Sequence, residues 1–338
     1  MNENLTLEQL SEQGKLLATK YKVAYQNNDF ENGLNLEKDY LELRLKIINA
    51  VNMEVKKRKS IPFYKIREEL KDIPVKPKRE TGVEKLDSML LPEDERGFGK
   101  LGGFSLGNYI VWAGAKGAGK TTIVLKLMAN LSKYEKVAWF DFEMGRRKAD
   151  SKIRSFEHSD TNLHYYDGDR DLEEIIGEIK VLFADGFRHF VIDSKMKITV
   201  NGAKRGYESS SVISSRLSEL TSSLEINVHM IDQMSAENTK DAHLGLKGGN
   251  DAEYDADYIF YMMKVQKKGS DGRVERDEAG VPLLDDTRRL LICDKNRVDD
   301  NDGFRVEICK DDIYGISNEP FEVVYGDNKE TAFEMPMV

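Results

Sequence analysis

Residues 114–122 read GAKGAGKTT, in which Gly114, Gly119, Lys120 and Thr121 stand at the spacing GxxxxGK[ST]. That spacing suits one chemistry. Glycine-rich backbone turns its N–H groups inward around phosphate oxygens, a lysine reaches the outer phosphates, and a hydroxyl completes a magnesium shell. The whole loop, Gly114, Ala115, Lys116, Gly117, Ala118, Gly119, Lys120, Thr121 and Thr122, is therefore the expected nucleotide cradle, with ATP and Mg2+ as its ligands. An apolar run, YIVWAG at 109–114, precedes it, and a helical pattern over 120–132 follows. A helix that begins at the phosphates lends them its positive end.

Two carboxylates must accompany such a loop. Magnesium needs an outer anchor at the end of a neighbouring strand, and HFVIDS (189–194) supplies Asp193 there. An aspartate at a strand end also forms turns or caps helices, but its place well downstream of the loop favours the metal. Hydrolysis needs an acid that orients or deprotonates water. The run KVAWFDFEM (136–144) ends with Asp141 and Glu143, two apart and so on one face of a strand. Glu143 lies beyond the apolar run and is the expected base, with Asp141 as the alternative. The competing reading has Glu143 only capping a helix that starts near Gly145.

The elements that position these residues show in the periodicity. From Gly82 onward, short apolar runs alternate with helical segments, the pattern of a mainly parallel sheet flanked by helices. Strands are expected at 109–114, 136–142, 189–194, 227–233, 257–263 and 289–295, with 304–308 as a hairpin partner at one edge, and helices at 120–132, 171–184 and 209–225. Before Gly82 the signals are helical only. Leu10, Leu16, Leu17, Tyr21 and Tyr25, then Leu34 through Val51, recur at three- and four-residue steps on either side of the polar break NNDFENG, which predicts a helical hairpin with Thr6 or Ser11 as its cap. Residues 60–80 carry Pro62, Pro74 and Pro77 and form a linker with one short helix, apolar on one side. The expected division is a helical region at 1–59, a basic linker at 60–80 and an ATPase domain at 81–338.

Composition bounds the rest. A hydrophobic fraction of 40% with 33% charged residues fits a soluble globular chain, without a membrane span or a secretory leader, so a cytoplasmic location is expected. The two cysteines, Cys293 and Cys309, suggest buried thiols rather than a zinc site. A net charge of −9 argues against a protein that coats nucleic acid over its whole surface, but not against a local basic channel. Charge is uneven: Lys56 to Arg79 holds ten basic and three acidic residues.

Taken together, TGVEKLD (81–87), GGFSLGNYIVWAGAKGAGKTT (102–122), FDFEM (140–144) and VIDS (191–194) resemble the RecA-like motor domain of DnaB-type hexameric helicases and their relatives, including bacterial RadA. The likeness spans roughly 81–310 and implies an α/β, RecA-like P-loop fold. It also implies roles. The acid before methionine, Glu143, activates water; Gln233, closing HMIDQ, senses the γ-phosphate; Lys295 and Arg297 of CDKNR enter a neighbouring subunit's site as an arginine finger. Single-stranded DNA would be gripped in a ring's channel by two loops, through Lys197, Lys204 and Arg205 in 195–211 and through Lys240 and Lys247 in 235–250. Partners implied are ssDNA, further copies of the chain in a hexameric ring, and replication or recombination proteins. Residues 1–80 differ from the usual helicase collar and primase, and the zinc-finger cysteines of RadA are absent. Alternatives remain open at this point: a RecA-type recombination or loading factor that forms filaments, or a regulatory ATPase with a protein partner.

Overall fold

The apolar runs pair into one nine-stranded sheet in the computed structural model of the chain, which describes residues 5–56, 62–71, 79–90, 102–203, 206–234, 246, 254–298, 303–314 and 324–325. In chain order the strands are β1 (Tyr109–Gly114), β2 (Val137–Asp141), β3 (Leu163–Tyr166), β4 (His189–Asp193), β5 (Asn227–Ile231), β6 (Tyr258–Gln266), β7 (Leu284–Asn296), β8 (Phe304–Cys309) and β9 (Val324–Tyr325). Their spatial order is β3-β2-β4-β5-β1-β6-β7-β8-β9. The six from β3 to β6 run parallel, and β7, β8 and β9 add on antiparallel. β1, β2, β4 and β5 are buried along their whole length, which explains why they read as unbroken apolar runs rather than alternating ones.

The chain leaves β1 and re-enters the sheet at β2, two places beyond β5. The loop that leaves β1 therefore lies at the carboxyl ends of the parallel strands, the edge at which open α/β sheets bind ligands. Helix α5 (Lys120–Ser132) follows β1 directly, α6 (Arg146–Ile153) follows β2, and α8 (Tyr207–Leu224) follows β4. β1 is anchored by its neighbours' side chains: Trp112 stacks on Phe260 with centroids 4.5 Å apart, and its indole N–H donates to His229 Nδ1 at 3.2 Å. Below the sheet's edge, the buried Lys85 of α4 (Glu84–Met89) pairs with the buried Asp312 at 2.8 Å.

The chain divides into two compact units, 1–75 with 173–187, and 76–172 with 188–338. In the first, Thr6 starts α1 (Leu7–Gln26) through a capping box with Gln9, so Thr6 rather than Ser11 is the cap. α1 and α2 (Phe30–Lys56) form the expected hairpin. It packs on α7 (Leu172–Ala184): Leu10, Leu43 and Ile47 are buried with Leu17, Val181 and Ala184 against them. Arg44 Nη2 meets Glu178 at 3.1 Å, and Lys15 pairs with Asp185. The linker helix α3 (Phe63–Lys71) leaves Phe63 and Tyr64 exposed.

Several elements differ from the sequence reading. β3 was not anticipated because HYY and its flanks alternate polar with half-buried residues, as an edge strand does. β7 runs longer than its apolar part, continuing through Asp285–Arg289 as the arm of an exposed hairpin. Cys293 is buried, but Cys309 is only half-buried, since it ends its strand.

Candidate active site

At Gly114 β1 stops and the glycine-rich loop 114–122 begins, pressed against β6 so closely that a β-carbon there would lie 2.3 Å from the Met262 carbonyl oxygen. Only glycine fits. Gly119 closes the loop at φ 102°, a left-handed backbone that releases Lys120 as the first residue of α5. The Lys120 ammonium donates to the Gly114 and Ala115 carbonyls at 2.8 and 3.0 Å, curled over the loop's mouth. Burial lowers its pKa, and the nearby Asp193, Glu143 and Asp232 oppose that shift.

Thr121 donates its hydroxyl to Asp193 Oδ2 at 2.9 Å, so the start of α5 is tied to the end of β4. The other carboxylate oxygen, Asp193 Oδ1, is buried and has no hydrogen-bond partner. Burial pushes the Asp193 carboxyl up to about 6, with Glu143 and Asp141 adding to the shift. A hydroxyl and an unsatisfied, desolvated carboxylate oxygen side by side fit a hard divalent cation. Among the described residues no group of three His, Cys, Asp or Glu could hold a metal alone. Magnesium at this place would thus take its remaining ligands from phosphate and water, as it commonly does.

The two acids of FDFEM have separate fates. Asp141 ends β2 and is buried, and its carboxylate accepts the backbone N–H groups of Glu143, Met144 and Gly145 at 2.9–3.0 Å and the Tyr165 hydroxyl at 2.9 Å. It is fully engaged in shaping the turn into α6. Glu143, past the strand end, is exposed. The Phe142 N–H bonds to the Asp193 carbonyl at 2.7 Å, which sets that turn beside β4, and Glu143 acts electrostatically on both Lys120 and Asp193. Asp141, not Glu143, holds the turn that leads to Gly145, and α6 itself starts without a side-chain cap.

Gln233 follows β5, where Asp232 N–H bonds Trp112 O and Met234 N–H bonds Gly114 O, so its backbone lies along the end of β1 at the loop's entrance. Sequence reasoning missed a buried ion pair beside it: Lys195 Nζ stands 3.3 Å from Asp232 Oδ2. Both side chains are almost wholly inaccessible, and the pair ties the ends of β4 and β5 together. Nothing in the sequence pattern marked it, since each residue alone looks like a polar strand end.

Lys295 and Arg297 are elsewhere. β7 is antiparallel to β6: Leu291 pairs with Met262 and so lies level with Gly114, while Asn296 pairs with Tyr258, level with Ile110. Four residues of β1 and β6, roughly 13 Å, separate the two levels, the extra residue of β7 being taken up by a bulge. Lys295 and Arg297 therefore sit at the opposite end of the sheet from their own phosphate loop. Lys295 donates to Tyr254 O at 3.0 Å, and Arg297 has its backbone N–H on Asp257 O and its side chain exposed. Of the basic residues read as DNA contacts, Lys197 is exposed after β4, while Lys204, Arg205, Lys240 and Lys247 lie outside the described residues. No described helix is long and apolar enough to cross a membrane.

No model of a protein family matches the chain, and no curated protein does. Solved structures do. The chain is similar to a structure described as an ATPase domain, with a TM-score of 0.53 at 19% identity, over 78% of this chain and 97% of that one. It is also similar to a DnaB-like replicative helicase, described with its interactions with primase, with a TM-score of 0.50 at 16% identity, over 83% of this chain and 76% of the other. The expected α/β architecture and the resemblance hold at the level of the fold: a RecA-like ATPase-domain fold of the kind found in DnaB-like helicases, preceded by helices.

Proposed function

We propose that this chain is an ATP-hydrolysing motor that assembles as a ring, hexameric by analogy with the DnaB-type helicases it resembles, and acts on single-stranded DNA. The observation that carries the reading is the Thr121–Asp193 hydrogen bond, which joins the phosphate loop to a buried acid with one free oxygen. Backbone N–H groups of 115–122 cradle the phosphates, and Lys120 exchanges its carbonyl partners for the outer phosphate oxygens. Thr121 and Asp193 would hold magnesium, which would supply charge neutralisation for the phosphates. Glu143 accepts a proton from the water it orients toward the γ-phosphate, and Gln233 reports whether that phosphate is present.

The position of Lys295 and Arg297 favours action on another copy. An arginine finger supplied across an interface stabilises transition-state charge and is worth about 10³–10⁵ in rate. Lys197, Lys204, Arg205, Lys240 and Lys247 are the proposed contacts to DNA phosphates, and replication or recombination proteins the proposed partners.

The test is steady-state ATP turnover with and without single-stranded DNA at low salt, together with native mass. Stimulated turnover by a closed ring supports the proposal. Turnover indifferent to DNA points to a regulatory ATPase, and helical filaments on DNA in electron micrographs point to a recombination factor; either result overturns it.

A further inference from the structure

The ribbon formed by β6 and β7 brings two cations to the flank of the phosphate loop that faces away from Asp193 and Glu143. β6 borders β1 on the side opposite β5, and Lys264 and Arg289 are cross-strand partners on it. Arg289 is fully committed: Nε donates to the Ala118 carbonyl at 3.0 Å, and Nη1 donates to the Asp285 and Arg288 carbonyls at 2.7 and 2.6 Å. It braces the loop from behind. Lys264 is different. Its ammonium stands 4.0 Å from where a β-carbon on Gly117 would be, it is half-buried, and among the described residues it makes no hydrogen bond or ion pair.

A triphosphate in this loop has a direction. Its γ end must face Asp193 and Glu143, on the β4 and β2 side, so the α-phosphate and nucleoside leave toward the β6 side, where Lys264 has no carboxylate partner among the described residues. We propose that Lys264 is a nucleotide-contacting residue, its ammonium bonding the α- or β-phosphate oxygens of ATP and ADP, while Arg289 positions the loop that presents them. Lys120 reaches the β- and γ-phosphates, and Lys264 the α- and β-phosphates, so both touch ADP. This inference rests on the nucleotide-binding reading of the loop.

Titration calorimetry of the full chain with magnesium ADP tests it. Lys264→Met should weaken ADP binding about tenfold, the loss expected for one charge-assisted hydrogen bond, and Lys264→Arg should restore most of it. KM for ATP should rise by more than kcat falls. Affinity within twofold of the parent for a Lys264→Met protein of unchanged circular dichroism overturns the inference. Lys120→Ala in the same titration separates the two ideas. If Lys120→Ala loses ADP and Lys264→Met does not, this inference fails alone; if Lys120→Ala binds like the parent, the nucleotide reading fails with it.

Discussion

Asp141 Oδ1 accepts the backbone N–H of Glu143 at 3.0 Å. One acid of FDFEM thereby builds the turn that presents the other, and the division of labour is visible in burial: Asp141 is 3% exposed, and Glu143 is exposed. Replacing each should therefore fail differently. Glu143→Gln should cut kcat roughly 10²–10⁴-fold, the worth of a positioned general base, with an unchanged melting curve. Asp141→Asn should cost stability, about 1–3 kcal/mol for buried N–H groups left with a weaker acceptor. Turnover and thermal melts on both variants decide it. An Asp141→Asn protein that melts normally yet loses turnover as Glu143→Gln does would return Asp141 to the catalytic role.

The Thr121 hydroxyl is hydrogen-bonded to Asp193 Oδ2, which leaves Asp193 Oδ1 without a partner. Thr121→Val keeps the shape and removes the hydroxyl. Loss of a supporting ligand typically costs 10–100-fold in metal affinity. The magnesium concentration for half-maximal turnover should rise by about tenfold or more, with turnover partly recovered at high magnesium. A magnesium dependence that matches the parent would detach Thr121 from the metal.

Arg297 lies at the wrong end of the sheet for its own loop, and this geometry makes a prediction about mixtures. Arg297→Ala and Glu143→Gln proteins, each inactive alone, should regain activity when mixed and reassembled. Some interfaces then join an intact Glu143 from one copy to an intact Arg297 from the next. Mixed assemblies that stay as inactive as the separate variants would show that the two residues do not meet across an interface.

The phosphate loop and β1, β2, β4 and β5 were legible because strands buried on both faces read as unbroken apolar runs, and because the loop's glycines meet a steric demand set by β6. Other features were not. β3 at the sheet edge carries a mixed pattern. The partner of the N-terminal hairpin, α7, lies more than a hundred residues downstream, and no local signal couples the two stretches. The Lys195–Asp232 pair and the Arg289 brace arise from register between strands distant in sequence. Period and spacing say which residues share a face, and register decides which of them meet.

Glu135, in the turn before β2, illustrates what such long-range meeting does to stability. Its carboxylate takes Arg79 Nε at 2.7 Å and His189 Nε2 at 2.9 Å, which joins the segment before α4, the entry to β2 and the start of β4. The hydrogen bond from His189, helped by Arg79 and opposed by partial burial, holds the carboxyl at about 2, against an ordinary value of 4.5. A folded-state pKa depressed in this way means the unfolded chain binds the proton more readily. The contribution to stability is complete above about 4.5 and is lost as pH falls toward about 2. Urea melts of the parent and of Glu135→Gln across that window measure it. The parent's advantage should be largest above 4.5 and shrink as the pH drops, because the amide cannot titrate. Partial solvent exposure of the pair keeps the gap smaller than the shift alone implies. An advantage that stays constant through the window, or grows as acid is added, would mean that Glu135 is not the ionised partner of His189 and Arg79.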